Sequence, residues 1–188
     1  MGCIVDRTDC RNESLNGDGQ MVQQDTGRFL QTAIVTISDR AYAGEREDRA
    51  GSMLIEFMAG AGFRVIAATV IPDEIDVIRA TLIDLASRQT PLVLTTGGTG
   101  AGPRDVTPEA TRSIIDREMP GLAEEIRRQG LAQTRYSLLS RGVAGMRERT
   151  LIVNLPGRPE GAVAAVRSVL DVLPHALAVM CSPHFDHG

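Results

Sequence analysis

The chain has 188 residues, 43% of them hydrophobic, and a formal net charge of −4, which suits one soluble domain that needs no disulfide or metal staple. The mild acidity argues against a nucleic-acid partner, and two tyrosines, four phenylalanines and no tryptophan offer no stacking platform for single strands. All 20 basic side chains are arginine. That excludes a Walker A lysine, a Schiff base and a lysyl-AMP intermediate, so phosphate chemistry must rest on backbone N–H groups, arginine, hydroxyls and metal.

Residues 1–28 are polar without period and read as a loosely attached arm. No secretory signal is expected there, and Asp6 stands where an N-myristoylation signal wants a hydroxyl. No apolar run approaches the length of a membrane span. Cys3, Cys10 and Cys181, an odd count without CxxC spacing, suit free thiols in a reducing, cytoplasmic compartment.

A single domain is expected over 29–188. Thr32–Ile37 reads as a buried strand, and 49–59 as a helix closed by Gly60-Ala61-Gly62. Arg64–Val70 is a second strand, and after Pro72-Asp73 the spacing of Ile75, Ile78, Leu82 and Leu85 predicts a helix. Pro91–Thr96, a third strand, feeds into GGTGAG. Thr107 is placed to N-cap a helix with Pro108 at N1, which Pro120-Gly121 breaks before another helix at 122–131. Thr150–Asn154 is a fourth strand, and a last helix runs from Pro159 to about 180, kinked or restarted at Pro174. This alternation predicts an α/β fold of three layers, a mostly parallel sheet with helices on both faces. Ligands of such sheets lie beyond the carboxyl ends of the strands. That rule selects the loops at Ser38-Asp39-Arg40, Pro72-Asp73-Glu74, 97–105 and Asn154–Pro159.

Among these, TTGGTGAGPRDVTPEAT at 95–111 carries the most chemistry. Gly97, Gly98, Gly100 and Gly102 let backbone N–H groups turn onto an anion. The loop lacks GK[ST], and its glycines follow GGxGxG rather than GxGxxG, so it is neither a P-loop nor a dinucleotide fingerprint. Arg104 and Asp105 beside it suit phosphate plus Mg²⁺, with Asp105 the candidate ligand and a turn or capping role its alternative. A structural salt bridge is the alternative for Arg104. Asp73 has a structural explanation as a helix N-cap, while its position at a strand end keeps catalysis open. Ser38-Asp39-Arg40 is either a ligand loop or an ordinary turn, and Asn154–Pro159 holds a nucleotide or is a rigid connection. His184 and His187 in the tail are too isolated for a metal site. No histidine precedes position 175, so acyl transfer through a histidine base is not expected.

The same residues resemble the MogA-like molybdopterin adenylyltransferase family over about residues 30–180. The resemblance lies in ISDRAYAGEREDRAG at 37–51, VIPDE at 70–74, the glycine block at 95–111, REMPGL at 117–122, LLSRGVAG at 138–145 and NLPGRP at 154–159. It implies a homotrimer that uses Mg²⁺, ATP and molybdopterin, the molybdopterin phosphate attacking the α-phosphorus of ATP and releasing pyrophosphate. Asp73 and Asp105 are the catalytic residues it implies. Ser38, Asp39, Thr96, Gly97, Gly98, Thr99, Gly100, Arg104, Pro156 and Gly157 would hold nucleotide and pterin, with Ser140 on the molybdopterin side. Hand-over of the product to a molybdate-insertion protein follows from the same likeness. A pterin-binding scaffold of the MoaB branch and a nucleotide hydrolase are the competing functions, and a pure binder has no need of two carboxylates beside a phosphate nest. Val163, Val166, Val169, Leu170, Leu173, Leu177 and Met180 make the last helix apolar around most of its circumference. They are either buried in the domain or form a subunit interface, which the likeness favours.

Overall fold

A computed structural model describes residues 30–181. Its elements are β1 (Gln31–Ile37), α1 (Asp39–Tyr42), α2 (Arg49–Gly60), β2 (Arg64–Ile71), α3 (Ile75–Ser87), β3 (Leu92–Thr96), α4 (Thr107–Arg112), β4 (Arg117–Glu118), α5 (Pro120–Gly130), a 3₁₀ helix (Arg135–Leu139), β5 (Ala144–Arg147), β6 (Thr150–Leu155), α6 (Pro159–Arg167) and α7 (Leu173–Cys181). One sheet runs in the order β2-β1-β3-β6-β5-β4. The first four strands are parallel, and β5 and β4 continue it antiparallel. The mostly parallel sheet is as the alternation predicts. The two antiparallel strands are additions: β4 has two residues, and β5 reads AGMR, with none of the β-branched enrichment that marks a strand.

Alternate residues of the parallel strands leave the sheet on opposite faces. Ile34, Leu92, Leu94, Leu151 and Val153 meet Leu54 and Met58 of α2, Ile126 of α5, Val166 of α6 and Leu173 and Leu177 of α7. Ala33, Val35, Val93 and Ile152 meet Ile78, Leu82 and Leu85 of α3 and Ala110 of α4. Both faces of the central strands are therefore covered, which is why they read as continuous apolar runs. Each such Leu or Ile contributes roughly 1.5–3 kcal/mol by leaving water. Edge strand β2 is the exception, exposed along most of its length, with Ile66 41% exposed. No helix among the described residues is long and apolar enough to cross a membrane.

Two expectations need correction. The helix that begins at Thr107 ends at Arg112, and the chain extends into β4 before Pro120. Thr107 is not its N-cap. That place is taken by Val106 without a side-chain bond, and Thr107 Oγ1 donates instead to Gly97 O at 3.0 Å. The last helical stretch restarts as expected, α7 having Pro174 in its first turn. Of its apolar side chains, Val166, Val169, Leu173 and Leu177 are at most 2% exposed and belong to this chain's own core, while Val163, Leu170 and Met180 pack against it partly buried. The polar arm 1–28, Cys3, Cys10 and the His184/His187 pair lie outside the described residues.

β1 has β2 on one side and β3 on the other, so the connections diverge there. A crevice opens at the carboxyl ends of strands where the winding reverses.

Candidate active site

A cavity of about 1280 Å³ occupies that crevice. Ser38 enters it after β1, Asp73 after β2, the glycine loop after β3 and Pro156-Gly157 after β6, while Ser140 lines it from beyond the 3₁₀ helix. Thr96, Gly97, Gly98, Thr99, Gly100 and Asp105 are in the same wall. Asp39 and Arg104 are not. They stand behind it as an ion pair.

The glycine loop is shaped by what surrounds it. Gly97 has φ +104°, and a Cβ there would lie 2.2 Å from Ile37 O; at Gly98, φ +61°, it would lie 2.3 Å from Thr107 Oγ1. Only glycine fits either place. The carbonyls of Gly97 to Gly100 are all engaged by residues outside the cavity lining. Gly97 O accepts from Thr107 Oγ1 at 3.0 Å, and Gly98 O from Thr107 N at 3.1 Å. Thr99 O and Gly100 O accept from Arg141, through its backbone N at 2.9 Å and its Nε at 2.7 Å. In a trans peptide the next N–H points opposite to the carbonyl, and no peptide here is cis. The N–H groups of Gly98, Thr99, Gly100 and Ala101 are thus turned the other way, and among the described residues they donate to no protein acceptor. Four successive free donors form an anion nest.

Beside the nest the lining is acidic. Asp73 does not cap α3, whose N-cap is Glu74 without a side-chain bond. Instead Asp73 Oδ2 accepts from Asp39 N at 2.8 Å, and Asp39 Oδ1 accepts from Asp73 N at 2.9 Å. This reciprocal pair ties the β1 loop to the β2 loop. Arg104 closes it from the glycine loop, its Nε and Nη2 donating to the two oxygens of Asp39 at 3.0 and 2.9 Å. Ser38 Oγ accepts from Ala41 N at 3.3 Å, so it caps α1 as well as lining the cavity. Arg104 and the Asp73 N–H hold the Asp39 carboxyl below its ordinary value. Burial pushes the Asp73 carboxyl up, helped by the charges of Asp39 and Asp105, with the Asp39 N–H opposing.

Asp105 Oδ2 accepts from Gly102 N at 2.8 Å. A Cβ on Gly98 would come within 3.0 Å of Asp73 Oδ1, and one on Gly100 within 3.0 Å of Asp105 Oδ2. The two carboxylates thus flank one turn of the nest. A half-buried acid beside like charges favours an added cation. Among the described residues no three His, Cys, Asp or Glu are grouped to hold a metal unaided. Mg²⁺ does not require that, because it is usually bound by one or two carboxylates together with substrate phosphates and water. The donor set fits it.

Two residues in the motifs have roles the sequence did not display. Arg141 holds the glycine loop through backbone and side chain, and its only signal is its place after Ser140 in LLSR. Asn154 is 3% exposed and fully used: Nδ2 donates to Thr95 Oγ1 and Thr111 Oγ1, both at 3.0 Å, and Oδ1 accepts from Val143 N at 3.2 Å. It braces β3, β6 and α4 beneath the cavity.

Residues 33–175 match the family model described as "Probable molybdopterin binding domain". The chain is 41% identical over 146 residues to the molybdopterin adenylyltransferase of Escherichia coli K12, covering 76% of this chain and 74% of that one. Two longer curated relatives are spanned to only 24% and 48% of their length. One is the molybdenum cofactor synthesis protein cinnamon of Drosophila melanogaster, 39% identical over 147 residues, or 77% of this chain. A crystal structure of the molybdopterin biosynthesis enzyme MoaB from Thermus thermophilus superposes with a TM-score of 0.76 at 50% identity, covering 80% of this chain and 96% of that one. With the match running through the strands, the nest and both acidic loops, this chain belongs to the probable molybdopterin binding domain family.

Proposed function

We propose that this chain adenylylates molybdopterin with Mg-ATP, giving adenylyl-molybdopterin and pyrophosphate in molybdenum-cofactor synthesis. The observation that carries this reading is the row of free N–H groups from Gly98 to Ala101, flanked by Asp73 and Asp105. A nest of that kind takes phosphate oxygens, and the names of the adenylyltransferase relatives supply the acceptor.

An oxygen of the molybdopterin phosphate forms a bond to the α-phosphorus of ATP. The bond from that phosphorus to the bridging oxygen breaks, and pyrophosphate leaves with the electron pair. The nucleophile belongs to the substrate, so the protein's task is to align two anions. The nest holds the triphosphate, Ser140 lies on the molybdopterin side, and the Asp39–Arg104 pair keeps the Asp73 loop in place. Asp105 would hold Mg²⁺, with Asp73 across the turn, and a bound Mg²⁺ neutralises charge on the phosphates. A homotrimer in the cytoplasm, handing its product to a molybdate-insertion protein, completes the proposal. For the association alone, support on this chain is the exposed β2 edge, since such an edge invites pairing.

The test is incubation with molybdopterin, MgCl₂ and ATP, followed by mass detection of products. Adenylyl-molybdopterin formed in step with pyrophosphate, and abolished by excess chelator, is the expected result. Release of ADP or AMP from ATP alone, with no adenylylated pterin, would instead make the chain a nucleotide hydrolase. Full activity in chelator would remove Mg²⁺ from the mechanism.

A further inference from the structure

Arg141 has no contact with the cavity, yet it touches both ends of the loop that forms the cavity's wall. Its backbone N donates to Thr99 O at 2.9 Å and its Nε to Gly100 O at 2.7 Å. Nη2 donates to Asp105 O, and Nη1 to the carboxylate of Glu109 on α4. The guanidinium therefore closes the loop between residues 100 and 105, and Glu109 aims it. Fixing Gly100 O turns the N–H of Ala101 into the nest. Fixing Asp105 O sets the Cα from which the Asp105 carboxylate projects. Three acceptors in different directions suit a planar fork with five donors. A lysine ammonium on a flexible stem does not meet that geometry.

We infer that Arg141 is the positioning residue of the phosphate nest. It acts through the carbonyls of Gly100 and Asp105 to set donors and carboxylate for the nucleotide, without touching substrate. The inference rests on the adenylyl-transfer reading and adds the residue on which its nucleotide affinity depends.

The test uses the full chain as wild type, Arg141→Ala, Arg141→Lys and Glu109→Gln. Mg-ATP binding is measured by calorimetry, together with melting temperature and the KM for each substrate. Arg141→Ala should weaken Mg-ATP binding and raise its KM by about tenfold or more, with the KM for molybdopterin changed less than about twofold. Arg141→Lys should recover only a small part of the affinity, and added methylguanidinium should recover part of it in Arg141→Ala. Glu109→Gln should give a smaller shift of the same kind, about two- to fivefold. Arg141 variants that bind Mg-ATP within twofold of wild type would overturn the inference alone. So would equal losses for both substrates with a lowered melting temperature, the mark of a merely structural arginine. If Arg141→Ala does not fold, Arg141→Lys and Glu109→Gln decide by the same criteria. Wild-type protein that binds no Mg-ATP would overturn the adenylyl-transfer reading, and the inference with it.

Discussion

On one wall of the cavity, backbone N–H groups are presented by a loop whose carbonyls are held by Thr107 and Arg141. On the acidic side, Asp73 in the lining and Asp39 behind it hold each other's backbone at 2.8 and 2.9 Å, and Arg104 donates to Asp39. The first wall is a matter of shape: it has two positive-φ glycines with no room for a Cβ, and its donors carry no net charge. The second is a matter of charge, because its acids sit in environments that move their carboxyls in opposite directions. Steric changes should therefore break the first wall, and isosteric loss of charge the second. Asp105 stands where the walls meet.

Asp105→Asn should have the largest consequence. The amide oxygen still accepts from Gly102 N, so the loop keeps its shape while the charge is lost. We expect kcat to fall about 10²-fold or more, roughly 3 kcal/mol of transition-state stabilisation, with an unchanged melting temperature. Turnover within threefold of wild type would show that charge at this joint is dispensable. Gly97→Ala tests the other principle. It places a Cβ 2.2 Å from Ile37 O at φ +104°, and a positive φ plus overpacking should cost about 3 kcal/mol in denaturant unfolding. Gly60→Ala, at a helix end with nothing within 4 Å, is the control and should leave stability within about 0.5 kcal/mol. Asp73→Asn should lower turnover by about tenfold or more while keeping its acceptor for Asp39 N. Asp73→Ala should also lose about 1 kcal/mol through that hydrogen bond. It should lose nothing through capping, because Glu74 holds the N-cap position.

What the sequence displayed follows from which interactions are local. β1, β3 and β6 announce themselves as apolar runs because both faces are covered, and the loops at their carboxyl ends follow from the alternation of elements. β4 was illegible because its two residues pair with a strand distant in sequence, and β5, although it forms a tight hairpin with β6, reads AGMR and carries no strand signal. Thr107 and Asp73 both resemble N-caps locally, and both were claimed by longer-range partners, Gly97 O and Asp39 N. The same holds for Arg141. Its partners are at positions 99, 100, 105 and 109, more than thirty residues away, and no local pattern encodes such a contact.

The smallest expected effect concerns Asp39 and Arg104, and its use lies in its sign. Their side chains are 42% and 60% exposed, and a pair so open to water is largely screened and contributes little. Arg104 first, and the Asp73 N–H second, hold the Asp39 carboxyl below its ordinary 3.8. The unfolded chain then takes up the proton more readily than the native one. Ionised Asp39 stabilises the fold above pH 3.8, and that contribution is lost as pH falls through its lower native value. Asp73 runs the other way. Burial, with the charges of Asp39 and Asp105, raises its carboxyl above 3.8, so its ionisation costs stability as pH rises from there through the native value. Asp39→Asn should therefore melt below wild type at pH 7, by no more than about 2–4 °C, with the gap closing below pH 3.8. Asp73→Asn should melt no lower than wild type at pH 7, and any advantage should vanish on acidification. Melting curves for the three proteins between pH 3 and 7 read both signs at once. If the two variants shift in parallel across that range, the reciprocal bonds do not separate the acids, and the charge wall is a single unit rather than an opposed pair.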